Sequence, residues 1–240
     1  MNIRRILPPV RRILDWASHL PADLIVIGTH GTGGFKHLVL GSVTEKILRH
    51  AECPVLTVPP GAGSAPRTPF RRVLCAVAAS DEAALPALRV AASLAHESGA
   101  RLTLLHVIEW PWHEPPAPAI AELPSEEGLA LAEFRRYSEE CERKRLDALV
   151  TNLPSPPSIT VRVANGTPHE QILDLAAAED VDLIVVGPGR RNAFDLAALG
   201  STTHHIVRAA TCPVLTVLPS AAATPADGQG VTYEFQQKDR

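Results

Sequence analysis

Short apolar runs alternate with amphipathic stretches along this chain. Asp23–Gly28 (DLIVIG), Arg71–Ala79 (RRVLCAVAA), Ala100–Trp110 (ARLTLLHVIEW), Ser158–Gly166 (SITVRVANG) and Val181–Gly187 (VDLIVVG) are strand-length and rich in β-branched residues. So are Pro54–Val58 and Pro213–Val217, both reading PVLTV. Runs of this kind predict strands buried on both faces. Asn2–Leu7 is a marginal further strand. Between them the spacing predicts helices over Pro9–His19, Ser42–His50, Asp81–Gly99, Thr167–Asp180 and Gly200–Thr211. Ala84, Leu88, Ala91 and Ala95 share one helical face, and Gly99 is a stop signal. A Pro-rich loop over 111–124 leads into a long charged helix on which Leu131, Phe134, Cys141 and Leu149 fall within roughly 80° of one another. Strands alternating with helices require crossover connections, and hence an α/β fold with a parallel sheet covered on both faces.

The pattern repeats. A shift of about 159 residues aligns Asp23–Pro60 with the segment from Asp182 without gaps, and 20 of the 38 positions match. The second copy is complete over residues 71–219. The first, residues 1–60, holds only the later part of the same unit. Residues 61–70 are a linker by composition, and residues 220–240 are an Ala-, Gly- and Gln-rich tail with little periodicity, expected to be mobile.

Composition narrows the classes without choosing among them. A formal net charge of −3 gives no reason to expect nucleic acid or an anionic membrane as partner. The arginines at 4, 5, 11 and 12 are a local exception and read as a solvated helix face. The longest apolar runs are far below a membrane span. Pro8, Pro9 and the arginines break any signal-peptide core, so a cytoplasmic location is expected. Of four cysteines (Cys53, Cys75, Cys141, Cys212) none makes a C-x-x-C pair, which argues against zinc and thioredoxin-like chemistry. His204 and His205 are adjacent on a helix, point apart, and make poor joint metal ligands.

Candidate chemistry lies in the glycines. In the first copy Gly28 ends a strand, Gly31 follows, and Gly41-Ser42 opens a helix. Strand, glycine turn and helix N-terminus together form an anion site, because the backbone approaches closely and unpaired N–H groups face the ligand. Ser42 can cap the helix or give its hydroxyl to a phosphate. The same glycines could also serve only as turns. The Walker pattern, G-x-G-x-x-G, G-x-S-x-G and H-E-x-x-H are all missing from the chain.

The spacing G-x2-G-x9-G-[ST], after DLIVIG and before CPVLTV, resembles the nucleotide-binding signature of the universal stress protein family. Residues 71–219 resemble one whole domain of that family, and residues 1–60 the later half of another. The resemblance implies a doubly wound five-stranded sheet of order 3-2-1-4-5. It implies ATP, with magnesium, held between the loop after the first strand and the glycine loop after the fourth. The first copy carries Gly28, Gly31, Gly41, Ser42 and Val43 of the motif but lacks the first strand and its Asp. The second keeps Gly187, Gly200 and Ser201, yet Arg190 stands at the second glycine position, with Gly189 before it. Ala78 stands where Asp is expected, and Val107 where the family touches adenine. Neither copy contains an intact site by itself.

The resemblance also implies that the last strands, Pro54–Val58 and Pro213–Val217, pair antiparallel, in a homodimer or as a pseudo-dimer within the chain. That pairing, or an upstream segment ahead of Met1, would complete the first copy. Three functions stay open: a nucleotide-linked stress-response protein of regulatory or protective role, a non-nucleotide interaction module, and a slow ATPase or nucleotide-using transferase. The third needs acidic residues for magnesium, and Asp23 lies at the wrong end of its strand.

Overall fold

The computed structural model describes residues 9–29, 40–60, 69–78, 84–109, 125–153, 158–187 and 200–217, the side chains of 125–128 excepted. Their elements are α1 (Pro9–His19), β1 (Ile25–Gly28), α2 (Ser42–His50), β2 (Val55–Val58), β3 (Arg72–Ala76) and α3 (Ala84–Ser98). Then follow β4 (Arg101–Ile108), α4 (Ser125–Thr151), β5 (Ile159–Asn165), α5 (Pro168–Ala178), β6 (Leu183–Val186), α6 (Ser201–Ala209) and β7 (Val214–Thr216). The marginal strand Asn2–Leu7 lies outside the described residues.

All seven strands join one sheet of order β1-β2-β7-β6-β3-β4-β5. Neighbours are parallel except β2 and β7, which are antiparallel with Val55 opposite Thr216, Leu56 opposite Leu215 and Thr57 opposite Val214. The five strands of residues 71–219 lie in the order β5-β4-β3-β6-β7, and antiparallel pairing of the two last strands within the chain joins β1 and β2 to them in one continuous sheet. The physical reason is the pair of PVLTV segments: each carries a row of backbone donors and acceptors that would otherwise lie open, and they satisfy one another. Thr57 adds a hydroxyl donated to the Val214 carbonyl at 3.1 Å.

Each face of the sheet has its own core. On one, α3 and α4 cover Val73, Cys75, Leu102, Leu104, Leu183 and Val185. The buried stripe of α3 is Ala84, Ala87, Leu88, Ala91, Ala92 and Ala95, mostly small residues that let the helix lie close to the strands. Gly99 then takes φ +62°, the left-handed conformation that ends a helix with little strain for glycine. On the other face, helix residues Ile47, Leu48, Ile172, Ile206 and Val207 pack over Ile25, Val55, Leu74, Ile184 and Val214.

On the predicted face of α4, Leu149 packs against the core and Leu131 and Cys141 are half-buried, but Phe134 is exposed. Leu146 is the buried anchor of the helix, with Leu153 buried just beyond its end, while Leu129, Phe134 and Tyr137 are exposed. Length explains this. Its 27 residues span about 40 Å, whereas the 8 residues of β4 span about 26 Å. The N-terminal part therefore overhangs the sheet.

Candidate functional site

The site begins where β1 meets α2. Gly28 ends the strand, and the Gly41 N–H donates to the Thr29 carbonyl at 2.9 Å. Thr44 donates its hydroxyl back to the Gly28 carbonyl at 2.8 Å. These two bonds fix the start of the helix over the end of the strand. Gly41 has φ −60° and ψ 133°, which any residue adopts, so glycine is not needed there for conformation. Space favours it instead: a Cβ would stand 3.2 Å from the Thr29 oxygen, which would have to give by a few tenths of an ångström.

The first bond of the helical ladder runs from the Glu45 N–H to the Gly41 carbonyl. The N–H groups of Ser42, Val43 and Thr44 come ahead of it and have no acceptor within the helix. Ser42 is exposed and makes no capping bond. This end is therefore a place for an anion, with partial positive charge and a hydroxyl in reach. Val43 is half-buried and packs into the core beneath, so it anchors the helix. Gly31 lies outside the described residues. Asp23 precedes β1, at the end of the strand opposite Gly28, and is not placed to hold a metal beside the phosphates.

In the second copy the helix cap is the same: Gly200 has φ −54° and ψ 144°, followed by exposed Ser201. Gly187 follows β6. Cα partners Ala76 and Leu105, and Ala76 and Val186, bring the ends of β3, β4 and β6 side by side. Ala78 and Val107 thus stand on neighbouring strands at the edge where Gly187 emerges. Ala78 is half-buried and has no side-chain acceptor to offer; Val107 packs against the core. Gly189 and Arg190 lie outside the described residues.

Sequence reasoning passed over the threonine three places after the cap. Thr44 and Thr203 are both buried, and the repeat offered the signal, since G-S-V-T and G-S-T-T keep Thr in register. It also passed over His106, whose Nδ1 lies 3.0 Å from the Val77 carbonyl and whose Nε2 lies 3.9 Å from a Glu142 oxygen. This half-buried imidazole links the strand beside Ala78 to α4.

Two histidines stack near the second cap, His169 on His205 with ring centroids 4.4 Å apart, and His204 meets His205 edge-on. Burial pushes the His204 pKa down, against the pull of Glu45 from α2. Among the described residues no cluster of His, Cys, Asp and Glu is placed to hold a metal ion. Nor is any described helix long and apolar enough to cross a membrane.

Fold and site together define an α/β architecture in which a helix start is tied over the end of a parallel strand. The chain belongs to the Universal stress protein family, whose profile matches residues 2–59 and 69–217. A universal stress protein from Thermus aquaticus is 34% identical over 149 residues, 62% of this chain and 98% of that protein. One from Mycobacterium tuberculosis H37Rv is 27% identical over 194 residues, 81% of this chain and 61% of its own length. The match thus leaves over a third of that mycobacterial protein uncovered. A Pseudomonas aeruginosa structure, described as a putative universal stress protein, superposes with a TM-score of 0.63 at 20% identity, over 87% of this chain and 67% of that one.

Proposed function

We propose that this chain is a cytoplasmic stress-response protein of regulatory or protective role, which binds ATP rather than running a dedicated reaction. The phosphates sit at the first copy, against the N–H groups of Ser42, Val43 and Thr44, with the Ser42 hydroxyl as a further ligand and Gly28, Gly31 and Gly41 admitting close approach. One observation carries this reading. Gly41 and Thr44 lock the helix start onto the end of β1 by the 2.9 Å and 2.8 Å bonds, so the cradle is rigid before any ligand arrives. The residues fit a phosphate group. Magnesium accompanying the nucleotide would find no carboxylate from Asp23, which is at the wrong end of the strand.

The second copy, with Ala78, Val107, Gly187, Gly189, Arg190, Gly200 and Ser201, is the weaker site. Ala78 gives no acceptor to the adenosine side. On this reading the chain is organised as a partial family domain (1–60), a linker (61–70), a complete domain (71–219) and a tail (220–240).

A second reading has a specific observation behind it. Among the described residues, no strand stands beside β1 where the complete copy has β3, and no described loop is placed there to hold adenosine. The chain is then an interaction module whose joined sheet presents surfaces to partners. A thermal melt with and without Mg-ATP separates the two. Ligand at about 100 times its dissociation constant contributes about 2.7 kcal/mol, which raises the midpoint by roughly 5 °C or more. No shift at millimolar ATP favours the interaction module.

A further inference from the structure

Glu45 on α2 and His204 on α6 hold the same place in the two copies, and so do Arg49 and Arg208. In the first copy these positions form an ion pair one helical turn apart, Arg49 to Glu45 at 2.7 Å. In the second an imidazole replaces the carboxylate. The same helix thus carries an attractive pair in one copy and, once the imidazole is protonated, a repulsive one in the other.

Two further rings meet there. His169, in the first turn of α5, stacks on His205 with centroids 4.4 Å apart and planes at 22°, and His205 meets His204 edge-on at 5.9 Å. The Nδ1 of His205 lies 2.7 Å from the Ser201 carbonyl; a carbonyl only accepts, so that nitrogen carries the proton. As neutral rings the three bridge α5 and the start of α6 through contacts that aromatic groups favour. Val10 and Lys46 are the counterparts of His169 and His205, so the bridge belongs to the second copy alone.

The surroundings disfavour further protons on these rings. His169 stands in the first turn of its helix and the His205 ring reaches back over the first turn of α6, and helix starts carry partial positive charge. Arg208 lies on α6 itself, and α2 adds Arg49, its Lys46 and His50 being exposed. Among the described residues, acidic groups offer little in return. Glu45 pulls on His204 but is engaged by Arg49. Glu170 and Asp174 of α5 are exposed and stand about 100° and 140° round the helix from His169. β7 brings only Val214, Leu215 and Thr216. Burial, with His205, Arg208 and Arg49 adding to it, holds the His204 pKa below its ordinary 6.5. Above 6.5 that ring is neutral in the folded and the unfolded chain alike. As the pH falls below it the unfolded chain takes up the proton first, so stability drops.

We propose that His169, His204 and His205 form a proton-operated joint: as neutral rings they hold the start of α6 on α5, and as cations they release it. The released turn carries Gly200 and Ser201. The first copy keeps its ties, the Thr44 hydroxyl on the Gly28 carbonyl and the Glu45–Arg49 pair. Acid therefore loosens one copy of the helix and spares the other. This inference rests on the ring contacts and stands independently of nucleotide binding.

Amide hydrogen exchange on the full chain, resolved by NMR at pH 7.5 and 5.5 and corrected for the intrinsic pH dependence, tests it. Protection of the Ile206 and Val207 amides of α6 is expected to fall at least tenfold in the more acid sample, while Ile47 and Leu48 of α2 and Leu104 of β4 keep theirs within threefold. His169→Phe/His205→Phe retains two stackable rings without titratable nitrogens and should keep its α6 protection within threefold. Should that double change impair folding, His204→Gln gives the same comparison and is expected to lose less protection than the natural chain. Undiminished α6 protection in the natural chain at pH 5.5 overturns the proposal. So does an equal loss in the variants, which places the acid effect on other groups, and so does a parallel loss in α2 and β4, which marks acid unfolding of the whole fold.

Discussion

Thr57 donates its hydroxyl to the Val214 carbonyl at 3.1 Å, while Thr216, its mate in the repeat, is buried on the facing strand with its hydroxyl unpartnered. The junction between the copies is therefore asymmetric in energy although nearly symmetric in sequence. Thr57→Val is expected to destabilise by about 1 kcal/mol, the net worth of one buried hydrogen bond. Thr216→Val removes a hydroxyl that gains nothing by being there, and is expected to be neutral or stabilising. Chemical denaturation of both variants checks the contrast; equal losses would refute it.

Asp182 clamps the start of β3 through two backbone N–H groups. Removing the carboxylate in Asp182→Ala leaves both donors without their acceptor, and a loss of ~2–3 kcal/mol is expected, since bonds to a charged group are the stronger kind. Asp182→Asn keeps one acceptor oxygen and should recover part of it. Urea unfolding midpoints provide the comparison.

Much of this organisation was legible in the residues. β-branched runs gave the strands because a strand buried on both faces cannot afford polar positions, and the alanine stripe of α3 gave its inner face directly. The exposure of Phe134 was not legible. Periodicity reports which residues share a helical face, but not where a helix outruns the sheet beneath it. At the cradle, glycine spacing pointed to Gly28 and Gly41, while the bond from Thr44 to the Gly28 carbonyl depends on a helix axis that no spacing encodes. The antiparallel pairing of the two PVLTV strands came from the family resemblance, with a homodimer and a pairing within the chain both open; the fold shows the pairing within the chain.

Burial pushes the Cys75 thiol up to about 12 and the Cys212 thiol up to about 11, from an ordinary value of 9.0. Both remain protonated in the fold while they ionise in the unfolded chain above pH 9. Between pH 9 and 11 the unfolded state thus binds fewer protons, and stability falls as pH rises, by about 1.4 kcal/mol per pH unit for each thiol. Below pH 9 neither thiol contributes to the pH dependence. Unfolding curves from pH 8 to 11 should show this, with a shallower slope in Cys75→Ala. Thiol reagents at pH 8 should likewise label Cys75 only as fast as the protein unfolds.

Thr44→Val tests the rigidity of the cradle. It leaves the Gly28 carbonyl without its 2.8 Å donor, a part-buried bond, and is expected to destabilise by ~1 kcal/mol. Affinity for ATP should fall more than stability loss alone explains, because the helix start loses one of its two ties to β1. Calorimetric titration at a temperature where the variant is fully folded separates the effects.

The most direct measurement is calorimetric titration of ATP into the chain and two variants, Gly41→Arg and Gly200→Arg. The account predicts a single class of site that Gly41→Arg abolishes and Gly200→Arg leaves nearly unchanged. Binding that survives Gly41→Arg, or no binding by the natural chain at millimolar ATP, would contradict it.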